Sequence, residues 1–284
     1  MVRQVLTEGL ISKRRHLARQ AFTLIELLVV IAIIALLLAV LLPSLSKAKD
    51  HAKRAVCLAH LHSLGISWVT YADENDSRIV NAKTARLIET SASPRQFRMD
   101  WSPSAYHNEP TWVGWFDEPT DAYGDFIPDK VARVACIELG TLFPFNETLG
   151  IYRCPVGIRD ELRTYAITDA MNGHEGFEGV GGKVIRKISD LRSPGTRLVF
   201  LDEGWATTES WTIYPNIVQW WDTVPIRHGD GTTVAMADGS AEYWKWQDER
   251  TIEWAKGTGD QVLTAQNNVD FNKIQRAAWG KSIN

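Results

Sequence analysis

Residues Leu27 to Leu42 read LLVVIAIIALLLAVLL, sixteen in a row without a polar side chain. A segment apolar on every face has no side to turn to water. With Phe22 to Glu26 added it approaches the ~20 residues needed to cross a bilayer core as a helix. The basic cluster Lys13, Arg14, Arg15 and Arg19 lies just before it. Positive residues stay cytoplasmic, so the expected orientation is N-terminus in and C-terminal bulk translocated. Five basic residues against Glu8 give +4 over the first 21 residues, so a net charge of -3 leaves -7 on the rest. That acidic remainder lacks the basic footprint of a nucleic-acid binder. Apolar residues at 45% and charged residues at 23% form an ordinary globular balance, which excludes a disordered chain.

One carboxylate interrupts the apolar stretch. Glu26 costs several kcal/mol inside a membrane even on lenient scales and is expected to face a partner rather than lipid. The residues around it, Ala21-Phe22-Thr23-Leu24-Ile25-Glu26-Leu27, resemble the signal of type IV pilins and type II secretion pseudopilins. The resemblance implies cleavage between Ala21 and Phe22 by a prepilin peptidase, which then methylates the amine of Phe22. It also implies that Glu26 of one subunit neutralises the new amine of a neighbour, satisfying two charges at once in an apolar bundle. The family usually has Gly where this chain has Ala21. Pro43 sits where such helices often carry a proline and loosens the helix there. An ordinary secretory signal would place small residues after the apolar run, but PSLSKAKDHAKRA follows it.

Beyond Pro43, Leu45, Ala48, Ala52, Val56, Ala59, Leu64, Trp68 and Tyr71 recur at three- to five-residue steps with Lys47, Lys49, Lys53 and Arg54 between them. This predicts an amphipathic helix ending near the polar cluster Asp73 to Ser77. Phe22 to Glu74 as one helix would be roughly 80 Å long at ~1.5 Å per residue. Arg54 to Asn75 resembles a large prepilin-like family at Cys57, Leu61, Leu64-Gly65 and Tyr71. Residues 78 to 130 mix Pro, Asp, Asn, Ser and Trp without period and are expected to form loops and short strands. Ile137 to Pro155 resembles the same family's approach to a Cys-Pro pair. Thr164 to Met171 reads as a strand, and Gly173 to Gly182 as a mobile glycine-rich loop without the Lys-Ser/Thr of a phosphate loop. Ile188 to Leu191 reads as a turn or short helix, and Arg197 to Leu201 as a buried strand.

Thr232 to Ala237 and Ser240 to Trp246 flank Asp238-Gly239, a hairpin signal that predicts a type I′ turn. Val234 and Met236 should share one face, with Tyr243 and Trp244 on opposite faces. His228 stands ten residues before Asp238 in an H-x9-D-G pattern. That pattern resembles the C-terminal signature of expanded bacterial prepilin-like families.

Catalytic signals are weak. His228 and Asp238 fit a turn-bonding histidine and a hairpin aspartate; neither G-x-S-x-G nor H-E-x-x-H occurs. Acidic groups offer calcium candidates at Asp121, Asp125 and Asp129, and at Asp73, Glu74 and Asp76. The first spacing is looser than an EF-hand loop and lacks its terminal Glu; solvated turns are the alternative. No C-x-x-C pair marks a metal site, and no metal or other cofactor is expected apart from that calcium. By the family resemblance, Cys57 and Cys154 match recurring positions. A disulfide there would close a loop of about 97 residues and stabilise by a few kcal/mol. Cys136 with Cys154, or free buried thiols, are the alternatives. Trp101, Trp112, Trp115, Trp205, Trp211, Trp220 and Trp221 lie in loop-like stretches, where core packing competes with ligand stacking.

The expected architecture is α+β: a basic leader over 1–21, a long pilin helix over 22–74 with 22–42 transmembrane, and a globular head over 75–284 with its hairpin at 232–246. A long helix packs on an antiparallel sheet with long loops. The resemblance implies a non-enzymatic fibre subunit of the bacterial inner membrane, single-pass, with a periplasmic head. Its partners would be copies of itself, other pseudopilins, the prepilin peptidase/methyltransferase and the inner-membrane assembly platform. A membrane-tethered binding module for polysaccharide and a tethered hydrolase are the readings from other classes.

Overall fold

A computed structural model describes residues 23–100, 109–117, 129–157, 161–177, 181–203, 209–257 and 264–281. The chain divides into two compact units, residues 1–48 and 49–284. Helix α1, Leu24–Glu74, contributes to both. In the first unit its Leu, Ile and Val side chains from Leu24 to Leu42 are all exposed, as expected of a helix whose medium is lipid. Pro43 sits inside the helix, where it offers no N–H to the carbonyl of Ala39. The adjacent Ser44 hydroxyl donates to the Leu41 carbonyl at 2.8 Å.

In the second unit α1 buries Cys57, Leu61, Leu64, Gly65, Trp68 and Ala72. These recur at three-, four- and one-residue steps and form one stripe. The expected stripe is corrected by this register. Leu64 and Trp68 lie on it, but Leu45, Ala48, Ala52, Val56 and Ala59 are exposed. The buried face is chosen by Cys57 and Leu61, one step round the helix from Val56.

Residues 78 to 100 form more strand than expected. Strand β1 (Asn81–Ala92) is twelve residues long, pairs antiparallel with β2 (Arg95–Asp100) and parallel with β3 (Thr111–Trp115), giving the order β2-β1-β3. Ala85 and Leu87 alternate with exposed Arg86, a period of two carried largely by small and charged residues. Helix α2, Lys130–Glu138, packs on this sheet through Ala132 and Cys136 against Ala85, Leu87 and Met99.

The second sheet is antiparallel in the order β4-β5-β6-β7: Tyr165–Ile167, Leu198–Asp202, Gly231–Met236 and Ala241–Lys245. Its two faces sort the core. Ile167, Phe200 and Ala235 join the α1 stripe with Trp112 and Tyr152. Ala166, Leu201, Val234, Met236 and Trp244 join Trp211, Trp220, Phe271 and Trp279 on the other side. Alternate residues of a strand point to opposite faces, so one sheet serves both clusters. The α+β expectation holds, with the first sheet mixed rather than antiparallel.

Two helices that the sequence reading did not foresee close the second face: α3, Glu249–Ala255, and α4, Val269–Trp279. Asn268 caps α4 by accepting from the Asp270 and Phe271 N–H groups, and Gly280 ends it at φ 77. The Arg197 guanidinium donates to the Ala277 and Ala278 carbonyls at 3.2 and 2.6 Å, answering carbonyls that a helix end leaves free.

The hairpin is placed as expected, but its turn is not type I′. Gly239 alone takes positive φ, at 83. The Gly239 N–H donates to the Met236 carbonyl at 2.9 Å and the Met236 N–H to the Ser240 carbonyl at 2.8 Å. The loop is therefore three residues, Ala237 to Gly239, with the glycine in the left-handed position that such loops require. Asp238 selects it by accepting from the Ser240 N–H and hydroxyl at 2.9 and 2.7 Å. Those two bonds hold its carboxyl below the usual carboxylate range.

Candidate functional site

Two places carry the residues singled out by sequence. The first is the start of α1. Thr23 precedes the helix, and its hydroxyl accepts from the Glu26 N–H at 3.2 Å. Glu26 reaches back, accepting from the Thr23 N–H and the Thr23 hydroxyl, each at 2.8 Å. This is a reciprocal capping box: two donors that a helix start leaves free are answered by side chains three residues apart. Glu26 thus acts within its own chain as the partner of the Thr23 cap, a role the membrane-cost argument did not reveal. The Thr-x-x-Glu spacing was the available signal. Ala21 and Phe22 lie outside the described residues.

The second place is a buried cluster in the 49–284 unit. Cys57 Sγ, Cys154 Sγ and a ring nitrogen of His228 all lie within 4.8 Å of one another. Each residue arrives on a different support. Cys57 belongs to the buried stripe of α1. Cys154 follows a short 3-10 helix, Leu149–Tyr152. Its N–H donates to the Thr164 hydroxyl at 2.7 Å, and its carbonyl accepts from the Gly157 N–H at 2.8 Å across Pro155. His228 precedes β6 with φ 55 and is followed by Gly229 at φ 92. The neighbouring Arg227 guanidinium donates to the Val156 carbonyl at 3.1 Å, tying the histidine's segment to the Cys-Pro turn. His60 Nδ1, one turn along α1 from Cys57, lies 3.0 Å from the Arg153 carbonyl oxygen.

Inside the cluster, Cys57 Sγ lies 2.8 Å from Tyr165 Oη and 3.0 Å from Thr233 Oγ1. Cys154 Sγ lies 3.2 Å from His228 Nε2. His228 Nδ1 has no hydrogen-bond partner among the described residues. Cys57, Cys154, Tyr165 and Thr233 are fully buried. Hydrogen bonding from Cys154, against the cost of burial and helped by His228, Thr233 and Tyr165, pulls the Cys57 thiol below its ordinary value. Cys154 moves up, because it holds the shared proton and is buried. Burial and the adjoining sulfurs push Tyr165 well above its ordinary value.

In this structure Cys57, Cys136 and Cys154 are free thiols. The Cys57 and Cys154 sulfurs lie within 4.8 Å of each other and hydrogen-bond to one another as well as to their other polar partners. Cys136 belongs to the other cluster, beneath the three-stranded sheet. His228 and Asp238 of the H-x9-D-G pattern keep different company. The histidine meets Cys154, and the aspartate ties its own turn. Tyr165 and Thr233 carried no sequence signal for this site.

Asp121 and Asp125 lie outside the described residues. Asp129 caps α2 by accepting from the Ala132 N–H at 3.0 Å and pairs with Arg95 at 2.8 Å. Asp73 and Glu74 are exposed at the end of α1, and Asp76 follows at φ 54. Of the tryptophans, Trp112, Trp211 and Trp220 are buried, Trp221 is 60% exposed, and Trp101 and Trp205 lie outside the described residues. A separate acidic pair in the second unit joins buried Asp169 to half-buried Asp222. Burial raises Asp169 to about 7 against the bonds from Ser210 and Thr212, with Asp222 adding to the rise and Lys83 opposing it. Burial raises Asp222 to about 6 although it accepts from the Thr212 N–H at 2.6 Å.

Comparison with known proteins bears on the N-terminal site. Residues 17–42 match the prokaryotic N-terminal methylation motif. The chain is 45% identical over 75 residues to the type IV wide pilus major component PilA4 of Thermus thermophilus, covering 26% of this chain and 57% of that protein. The chain therefore spans little more than half the length of that relative. No solved structure matches.

Proposed function

We propose, from the premise that residues 17–42 carry the prokaryotic N-terminal methylation motif, that this chain is a membrane-anchored, pilin-like structural subunit. A leader peptidase removes residues 1–21 and methylates Phe22. The apolar stretch to Leu42 then holds the chain in the bacterial inner membrane with its head in the periplasm. Assembly moves that stretch from lipid into a bundle of like helices. There Glu26 of one subunit meets the terminal amine of the next. The fibre is a type IV pilus-like filament or a type II secretion pseudopilus, and the Thermus relative's name weighs toward the former. The partners are copies of this chain, the peptidase and an inner-membrane platform; the role is scaffolding rather than catalysis.

The carrying observation is the motif match together with a 51-residue helix whose apolar N-terminal side chains are all exposed. Such a surface is tolerable only in lipid or against other helices. Mass spectrometry of the protein isolated from membranes tests the reading. It should find methylated Phe22 as the first residue. A mature chain still starting before Ala21, or trimmed after Leu42, would overturn it.

A further inference from the structure

We propose that Cys57, Cys154 and His228 form a zinc site in the head. Three ligand atoms within 4.8 Å of one another come from residues far apart in the chain; the cysteine and histidine of one pair are 74 positions apart. In a tetrahedral zinc site, bonds of about 2.3 Å to sulfur and about 2.0–2.1 Å to nitrogen put ligands roughly 3.3–3.8 Å from one another. The Cys154 Sγ to His228 Nε2 distance of 3.2 Å is already close to that range.

The chemistry of the donors agrees. Two thiolates and an imidazole are the borderline-soft set that zinc prefers. Two thiolates also balance a 2+ ion in a place where water reaches neither sulfur, both being fully buried. Tyr165 Oη lies 2.8 Å from Cys57 Sγ, where the phenol can donate to the thiolate, and the fourth position is left to water or another small ligand, as in three-ligand zinc sites. Thr233 Oγ1 at 3.0 Å can donate to the thiolate, the kind of outer support that orients metal ligands. A disulfide would use the two sulfurs but leave the histidine without a task. A metal uses all three. The ion would link three segments at one point: the C-terminal half of α1, the Cys-Pro turn, and the approach to β6.

Purified full-length protein in detergent, analysed by elemental mass spectrometry after equilibration with zinc and desalting, should hold one zinc per chain. Cys57→Ser, Cys154→Ser and His228→Ala should each retain less than a tenth of that, while Cys136→Ser retains it all. Should the cluster variants fold poorly, cobalt(II) exchanged into the wild type decides independently. It should give thiolate-to-cobalt charge-transfer absorption with the strong ligand-field bands of a four-coordinate site. Wild-type protein that is folded but binds neither ion at stoichiometry, or that yields a Cys57–Cys154 disulfide-linked peptide instead, would overturn the proposal.

Discussion

Gly65 of α1 and Gly239 of the hairpin turn meet so closely that a Cβ on Gly65 would lie 3.0 Å from the Gly239 Cα and 3.3 Å from its carbonyl oxygen. His62, one turn earlier, places Nδ1 2.7 Å from that same carbonyl oxygen. The helix and the D-G turn are thus fitted to each other backbone to backbone. Gly65→Val should lower head stability by about 1–3 kcal/mol, as overpacking does. For a domain of this size that is a drop of roughly 2–12 °C in Tm. Gly65→Ala should cost less, since a shift of a few tenths of an ångström relieves it. Thermal unfolding followed by circular dichroism reads both.

Asp169 gives the head a pH dependence of unusual sign for a carboxylate. Its folded value is about 7 against an ordinary 3.8, so between those values the folded state binds a proton that the unfolded state does not. Stability then falls as pH rises from about 4 to about 7 and levels off above. Asp222, raised to about 6, adds in the same direction. Asp169→Asn should flatten much of that slope, by an amount on the order of a few kcal/mol across the window. Urea unfolding at pH 5 and pH 8 makes the comparison. An equal slope in the variant would assign the dependence elsewhere.

Thr23 and Glu26 allow capping to be separated from assembly. Glu26→Gln retains a side chain suited to the capping box but no charge. It should insert in the membrane normally and fall at least tenfold in the sheared-filament fraction. Thr23→Ala loses the cap, at a cost of about 1 kcal/mol, but retains the carboxylate, and should still enter filaments. Immunoblots of membrane and filament fractions distinguish the two.

Asn268 is fully buried. It accepts from two backbone N–H groups of α4 and donates to the Thr251 hydroxyl at 2.9 Å. Asn268→Ala should destabilise the head by about 1–2 kcal/mol, the upper part of the range for a lost cap. Hydrogen exchange should show α4 opening earlier than the central strands.

What sequence revealed follows from what is local. The stretch Leu27 to Leu42 needs no periodicity to be read, and the D-G turn announces its hairpin. Asp238 changed the turn type because a side-chain bond to Ser240 competes with the backbone preference. The buried stripe of α1 was misread by one position because Val56 and Ala59 fit a helical period as well as Cys57 and Leu61 do; only the sheet decides which face it covers. Strand β1 escaped because its inward residues include Ala82 and Ala85, too small to mark a period. Helix α4 was legible in principle, from Asn268, the spacing of Phe271, Ile274 and Ala278, and Gly280. The meeting of Cys154 with His228 belongs to tertiary structure alone. Family resemblance picked out both residues for separate reasons, and nothing in either reason joined them.

The Thr23–Glu26 pair bears on how a filament would grow and shrink. A solitary protomer resting in lipid already has its acid group contented from within. Docking a neighbour's amine then exchanges one set of donors for another instead of rescuing a stranded charge. The carboxylate is bonded before and after such an exchange, so what docking adds is the charge of the incoming amine.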